Sequence, residues 1–83
     1  MAVRVLYFAS VREAVGVASE DWSTSAATVA QLREELVARG APWSEALATD
    51  RALRCAINQQ MCAPSAAVRD GDEVAFFPPV TGG

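Results

Sequence analysis

The sequence predicts an α+β domain, a mixed sheet with one main helix packed across it. Three stretches of the 83-residue chain predict it. Ala2 to Ala9 alternates along its length and is rich in β-branched and aromatic residues, as strands are. Val29 to Arg39 repeats apolar residues at helical spacing. Leu53 to Cys62 and Val74 to Phe77 return to strand-like runs, with turn residues between them. A pair of strands, a helix and then further strands suits a sheet with the helix laid over one face.

The first strand runs Ala2-Val3-Arg4-Val5-Leu6-Tyr7-Phe8-Ala9. Its alternation puts Val3, Val5 and Tyr7 on one face and Arg4, Leu6 and Phe8 on the other. Arg4 marks the second face as the open one, which leaves Leu6 and Phe8 as large apolar groups exposed there. Exposed apolar patches mark binding sites. Ser10 to Val15 reads as a short helical turn, with Ser10 as cap, Glu13 completing a capping box, and Gly16 as its end. Val17 to Trp22 is a second strand, and Ser23 to Ala27 a polar link. Thr28 and Gln31 make another capping box at the start of the main helix, Val29 to Arg39. Val29, Leu32, Leu36 and Val37 form its buried stripe. Glu35 and Arg39 are spaced as an i,i+4 ion pair, and Gly40 supplies the stop.

Pro42 to Thr49 reads as a short further helix held by Trp43 and Leu47. Leu53 to Ile57 is a third strand with Leu53, Cys55 and Ile57 inward. Asn58-Gln59 is a tight turn, because asparagine tolerates positive φ. Gln60-Met61-Cys62 is a short fourth strand. Asp70-Gly71-Asp72 turns the chain into the last strand, Val74 to Phe77.

Composition sets limits on function. Apolar residues make up 52% of the chain, which suits a packed domain rather than a disordered segment. The net charge is −3, and arginine is the only basic side chain. Such a chain has no basic patch for nucleic acid. With no histidine it also lacks the usual general base and the commonest metal ligand. No stretch is long enough to span a bilayer, and the N-terminus has no signal pattern, so the expected location is the cytoplasm, away from any membrane. Cys55 and Cys62 do not form a C-x-x-C pair; both fall in strands and read as buried core thiols.

The last ten residues carry the functional signal. Proline has no N–H to give a ladder, so pairing must stop at Pro78. The expected organisation is one domain over residues 1–77 and a flexible tail, Pro78-Pro79-Val80-Thr81-Gly82-Gly83. Fully extended, the tail reaches roughly 20 Å at about 3.3–3.6 Å per residue. Its prolines are already extended, which lowers the entropy lost on immobilisation. Gly82 and Gly83 make the thinnest possible end, able to carry a carboxylate into a narrow pocket.

The run Phe76-Phe77-Pro78-Pro79-Val80-Thr81-Gly82-Gly83 resembles the C-terminal end of molybdopterin synthase small subunits, the MoaD-type members of the ThiS/MoaD sulfur-carrier family. Phe8-Ala9-Ser10-Val11-Arg12-Glu13 resembles the same family's first strand and the turn after it. The resemblance covers essentially the whole chain and implies a ubiquitin-like β-grasp. In that fold the first and last strands lie side by side in mid-sheet. Val74 and Phe76 then face the helix, and Phe77 emerges on the outer face near Leu6 and Phe8.

The same resemblance implies a function. The Gly83 carboxylate is adenylated by a MoeB-type enzyme of the ubiquitin-activating kind, which consumes ATP, and a sulfurtransferase donor supplies the sulfur of a C-terminal thiocarboxylate. The tail then enters the MoaE-type large subunit and gives sulfur to cyclic pyranopterin monophosphate, forming the dithiolene. The assembly implied is a heterotetramer with its active site on the large subunit. The small subunit binds no cofactor of its own. Leu6, Phe8 and Phe77 become the partner-binding residues. Alternatives are a sulfur carrier for thiamine synthesis or tRNA thiolation, a protein modifier, or a β-grasp adaptor with a passive tail.

Overall fold

The computed structural model describes residues 1–79. Five strands and three helices follow in the order β1 (Ala2–Tyr7), α1 (Ala9–Val15), β2 (Ser19–Ser23), α2 (Val29–Val37), α3 (Trp43–Ala46), β3 (Arg54–Ile57), β4 (Gln60–Cys62) and β5 (Glu73–Phe77). The strands form one sheet in the order β2-β1-β5-β3-β4. β1 runs parallel to β5 and antiparallel to β2, and β3 runs antiparallel to both β5 and β4. This is the ubiquitin-like β-grasp arrangement, with the first and last strands adjacent inside the sheet.

One face of the sheet and the buried stripe of α2 make the core. Val3, Val5 and Tyr7 of β1, Leu32 and Leu36 of α2, and Val74 and Phe76 of β5 are all almost fully buried. Alternation on β1 and β5 aims these side chains at the helix, as the sequence pattern requires. Leu47, just beyond α3, is also fully buried and closes one end of the core.

Local chemistry explains the element ends. Thr28 caps α2 by accepting from the backbone N–H of Gln31. The Gln31 side chain reaches back one residue further than a capping box predicts, accepting from the N–H of Ala27 at 2.7 Å. The connection after β4 adds a second cap. The carbonyls of Ala66 and Pro64 accept from the first helical N–H groups, those of Val29 and Ala30. Gly16 sits at φ 84 and ends α1 in the left-handed region. Asn58 and Gln59 both have positive φ, 50 and 69, which is the geometry of a two-residue hairpin turn between β3 and β4.

Several expectations are corrected. β1 ends at Tyr7, because Ala9 turns to φ 51 and starts α1. The cap of α1 is therefore Phe8, which has no side-chain acceptor, and the Ser10–Glu13 capping box does not form. β2 is shifted to Ser19–Ser23, since its register is set by pairing with β1 and not by its own weak strand formers. α2 ends at Val37, α3 is limited to Trp43–Ala46, and β3 begins at Arg54.

The predicted Glu35–Arg39 pair is replaced by two longer-range networks. Glu35 accepts from Trp22 Nε1 at 3.1 Å and from the Thr24 hydroxyl at 2.7 Å. Arg39 instead pairs with Glu20 at 2.8 Å and lies between the rings of Trp22 and Trp43, 4.6 and 3.6 Å from their centroids. Stacking between two aromatic faces suits a planar guanidinium and ties the segment just after α2 to β2 and α3. Tyr7 donates to the same Glu20 carboxylate at 2.7 Å. Burial alone would raise the Glu20 carboxyl, but the hydrogen bonds from Arg39 and Tyr7 outweigh it and hold it below its ordinary value.

Candidate functional site

The site is the outer face of the sheet at the end of β5. Strand register builds it. Leu6 of β1 stands beside Ala75 of β5, Ala75 beside Ala56 of β3, and Ala56 beside Met61 of β4. One row of apolar side chains thus crosses four strands. The next row holds Phe77 of β5 beside Arg54 of β3, with Phe8 just past the end of β1. The Phe8 and Phe77 rings meet edge to face, with centroids 6.3 Å apart and an interplanar angle of 85°.

Exposure separates this face from the core. Phe8 is 46% exposed and Met61 60%, whereas Tyr7 and Phe76, on the helix side, are 1% exposed. Leu6 and Phe77 are half-buried. Alanine at positions 56 and 75 leaves a shallow floor between larger side chains. Charged residues border the patch. Arg54 is exposed on the β3 side, and Arg4 pairs with Asp21 at 3.4 Å on the β2 side. Both members of that pair are well exposed, so it adds little stability.

The structure thus brings together Leu6, Phe8 and Phe77, the three residues singled out in the sequence. β5 ends at Phe77, and Pro78 and Pro79 follow outside any strand, both half-buried. Pro79 lines a shallow groove with Ala52, Leu53 and Arg54, so the chain leaves the sheet along the start of β3. Val80, Thr81, Gly82 and Gly83 lie outside the described residues. Met61, Arg54, Ala56 and Ala75 join the patch without having been read from the sequence. Strand pairing brings them there, and pairing is not written in any one segment.

The body offers little chemistry of its own. Burial pushes the Cys55 thiol up to about 11, with a hydrogen bond from Cys62 acting the same way, so the group is protonated at neutral pH. Cys62 is only half-buried, not the core thiol expected. Among the described residues no group of three His, Cys, Asp or Glu side chains is placed to hold a metal ion. Among the same residues no helix is long and apolar enough to cross a membrane. What the site can do is dock: it presents a broad apolar face at the root of a thin segment.

The strand order and the helix packed across the sheet define the class of ubiquitin-like β-grasp proteins. The comparisons narrow the class. Residues 5–83 match the ThiS family model, and the chain belongs to that family. It is 44% identical over 81 residues to the molybdopterin synthase sulfur carrier subunit of Escherichia coli K12, covering 98% of this chain and 99% of that one. The crystal structure of SAMP1 from Haloferax volcanii superposes with a TM-score of 0.78 at 26% identity, each chain covered completely. A chain from the complex of subunits 1 and 2 of the molybdopterin-converting factor of Helicobacter pylori is also 26% identical over both full lengths, with a TM-score of 0.63.

Proposed function

We propose that this chain is the sulfur carrier of a molybdopterin synthase, and that Gly83 bears the transferred sulfur. The observation that carries the reading is the full-length likeness to the Escherichia coli sulfur carrier subunit. The Helicobacter pylori complex, in which a similar chain is assembled with a second subunit, supports a large-subunit partner. The geometry supports the docking half of the scheme. Leu6, Phe8 and Phe77 seat the domain on the large subunit, with Arg54 and Met61 widening the contact.

The chemistry belongs to the tail and its partners. An oxygen of the Gly83 carboxylate attacks the α-phosphorus of ATP on an adenylating enzyme, and pyrophosphate leaves. The terminal sulfur of a persulfide on a sulfurtransferase donor then displaces AMP at the acyl carbon. A thiol cleaves the resulting acyl disulfide, which releases the thiocarboxylate and leaves a disulfide between that thiol and the donor. Glycine at 82 and 83 keeps that carbon unhindered, and Pro78 and Pro79 limit the entropy lost when the tail is threaded. The loaded tail delivers sulfur to cyclic pyranopterin monophosphate in the large subunit. ATP is used only by the activating partner.

The test compares the full chain with one lacking Gly83. Both are incubated with adenylating enzyme, ATP, sulfur donor and large subunit. The full chain gains the sulfur-for-oxygen mass difference on its C-terminal peptide and supports molybdopterin formation. The shortened chain folds identically and does neither. Sulfur transfer by the shortened chain, or sulfur on Cys55 or Cys62 in place of the C-terminus, overturns the reading.

A further inference from the structure

Cys55 and Cys62 are the one cluster of nucleophiles in the described body that the scheme above does not use. They stand directly opposite each other on β3 and β4. Their Sγ atoms are 3.6 Å apart, with the Cys62 thiol directed at Cys55 Sγ. The Cys55 thiol in turn donates to the carbonyl of Cys62 at 3.3 Å. Both are free thiols. Opposed residues on antiparallel strands have Cα atoms about 4.5–5.5 Å apart. That spacing falls inside the range of about 4.4–6.8 Å that a disulfide accepts, so the two sulfurs can bond with the strands left where they are.

The two thiols are not equivalent. Cys55 lies inside, paired in register with both Cys62 and Phe76. Cys62 is half-exposed on β4, which is an outermost strand of the sheet. Cys62 is the more accessible of the two, and Cys55 lies behind it with the sulfurs 3.6 Å apart. An attacking thiol and a resolving thiol are arranged in this way.

We propose that Cys55 and Cys62 form a reversible dithiol–disulfide site whose oxidant is a small-molecule disulfide of the glutathione type. Cys62 loses its proton, and its sulfur attacks the small disulfide, expelling one thiolate and leaving a mixed disulfide. Cys55 then loses its proton and attacks Cys62 Sγ, expelling the second thiolate. The protein pair is oxidised by two electrons, the small disulfide is reduced to two thiols, and the two cysteine protons end on them. The product bolts β4 to β3. Those strands carry Met61, Ala56 and Arg54, so oxidation fixes one side of the apolar outer face. The site stands independently of the tail chemistry.

The experiment equilibrates the full chain in buffers of increasing oxidised-to-reduced glutathione ratio and then digests it with trypsin. Cleavage after Arg54 and Arg69 leaves both cysteines in one peptide. The expected result is a monomer that loses both titratable thiols in a single transition. Its Cys55–Arg69 peptide is lighter by two hydrogens, and dithiothreitol reverses the change. The oxidised chain also melts at a higher temperature than the reduced one. Cys55→Ser stops at a glutathione adduct on Cys62, and the wild-type titration decides the matter if that variant does not fold. Wild-type protein that stops at the adduct, forms a disulfide-linked dimer, or keeps both thiols in the most oxidising buffer overturns the proposal.

Discussion

Phe76 and Phe77 are neighbours in sequence with opposite surroundings. Phe76 is 1% exposed against α2, and Phe77 is half-buried on the outer face beside Phe8. Phe76→Ala should therefore cost about 3–5 kcal/mol of stability and harm docking only through unfolding. Phe77→Ala gives up its edge contact with Phe8, about 0.5–1.5 kcal/mol, together with the area its half-buried ring covers, and so costs less stability than Phe76→Ala. It should weaken large-subunit binding by about thirtyfold or more, if an interfacial aromatic anchor is worth at least about 2 kcal/mol. A thermal melt and a titration with the large subunit, run on both variants, check the contrast. An early melt for Phe77→Ala with intact folding of Phe76→Ala would reverse the two faces. The family resemblance made this contrast legible in the sequence, because the fold it implies fixes which face of the last strand meets the helix. Partners were not legible in the same way. Glu35 and Arg39 have ideal helical spacing, yet Trp22, Thr24 and Glu20 outcompete that pairing from other elements.

The hairpin of β3 and β4 shows what sequence discloses about an element. Asn58 pointed to a tight turn, and the turn is there, followed by the short β4 over Gln60–Cys62. The second turn position is the costly one. Gln59 holds φ 69, where a side chain on Cβ is disfavoured and glycine is not. Gln59→Gly should therefore stabilise the domain by roughly 1 kcal/mol. The check is a rise in melting temperature with large-subunit binding unchanged; a fall would show that Gln59 makes a contact worth more than its strain. Element boundaries were less legible. The start of α1 turned on the backbone of Ala9, and the shift of β2 on its register with β1, neither of which its own residues encode. The same limit hid half of the candidate site. Alternation identified Leu6 and Phe8, and the family resemblance added Phe77, but only pairing across four strands brings Ala56, Met61 and Arg54 to them.

At the scale of the whole molecule, acid should act through two carboxylates that tie elements together. Glu20 and Glu35 both sit below the ordinary carboxylate value of 4.5, because donors from other elements outweigh the burial that would raise them. A lowered folded pKa means the unfolded chain takes up protons first. The stabilisation is therefore complete above about pH 4.5 and is lost as pH falls through the lower folded values. Melting temperature should drop along that limb, and Glu20→Gln should flatten it while lowering stability at neutral pH by about 1.5–3 kcal/mol, the worth of hydrogen bonds to a charged group. A limb unchanged by Glu20→Gln and Glu35→Gln would assign acid sensitivity elsewhere. The parallel pairing of β1 with β5 has a consequence for biosynthesis. β5 lies between β1 and β3, so residues 1–72 carry two half-sheets with no strand to join them. Long-range pairing of this kind is also slow to form. A chain cut after Asp72 should stay unfolded by circular dichroism, and a synthetic peptide containing Glu73–Phe77 should restore the sheet when added. A native-like spectrum for the cut chain alone would remove β5 from this role. During translation the ribosome holds back the strand that completes the body, so a nascent chain has no outer face to offer until β5 has emerged.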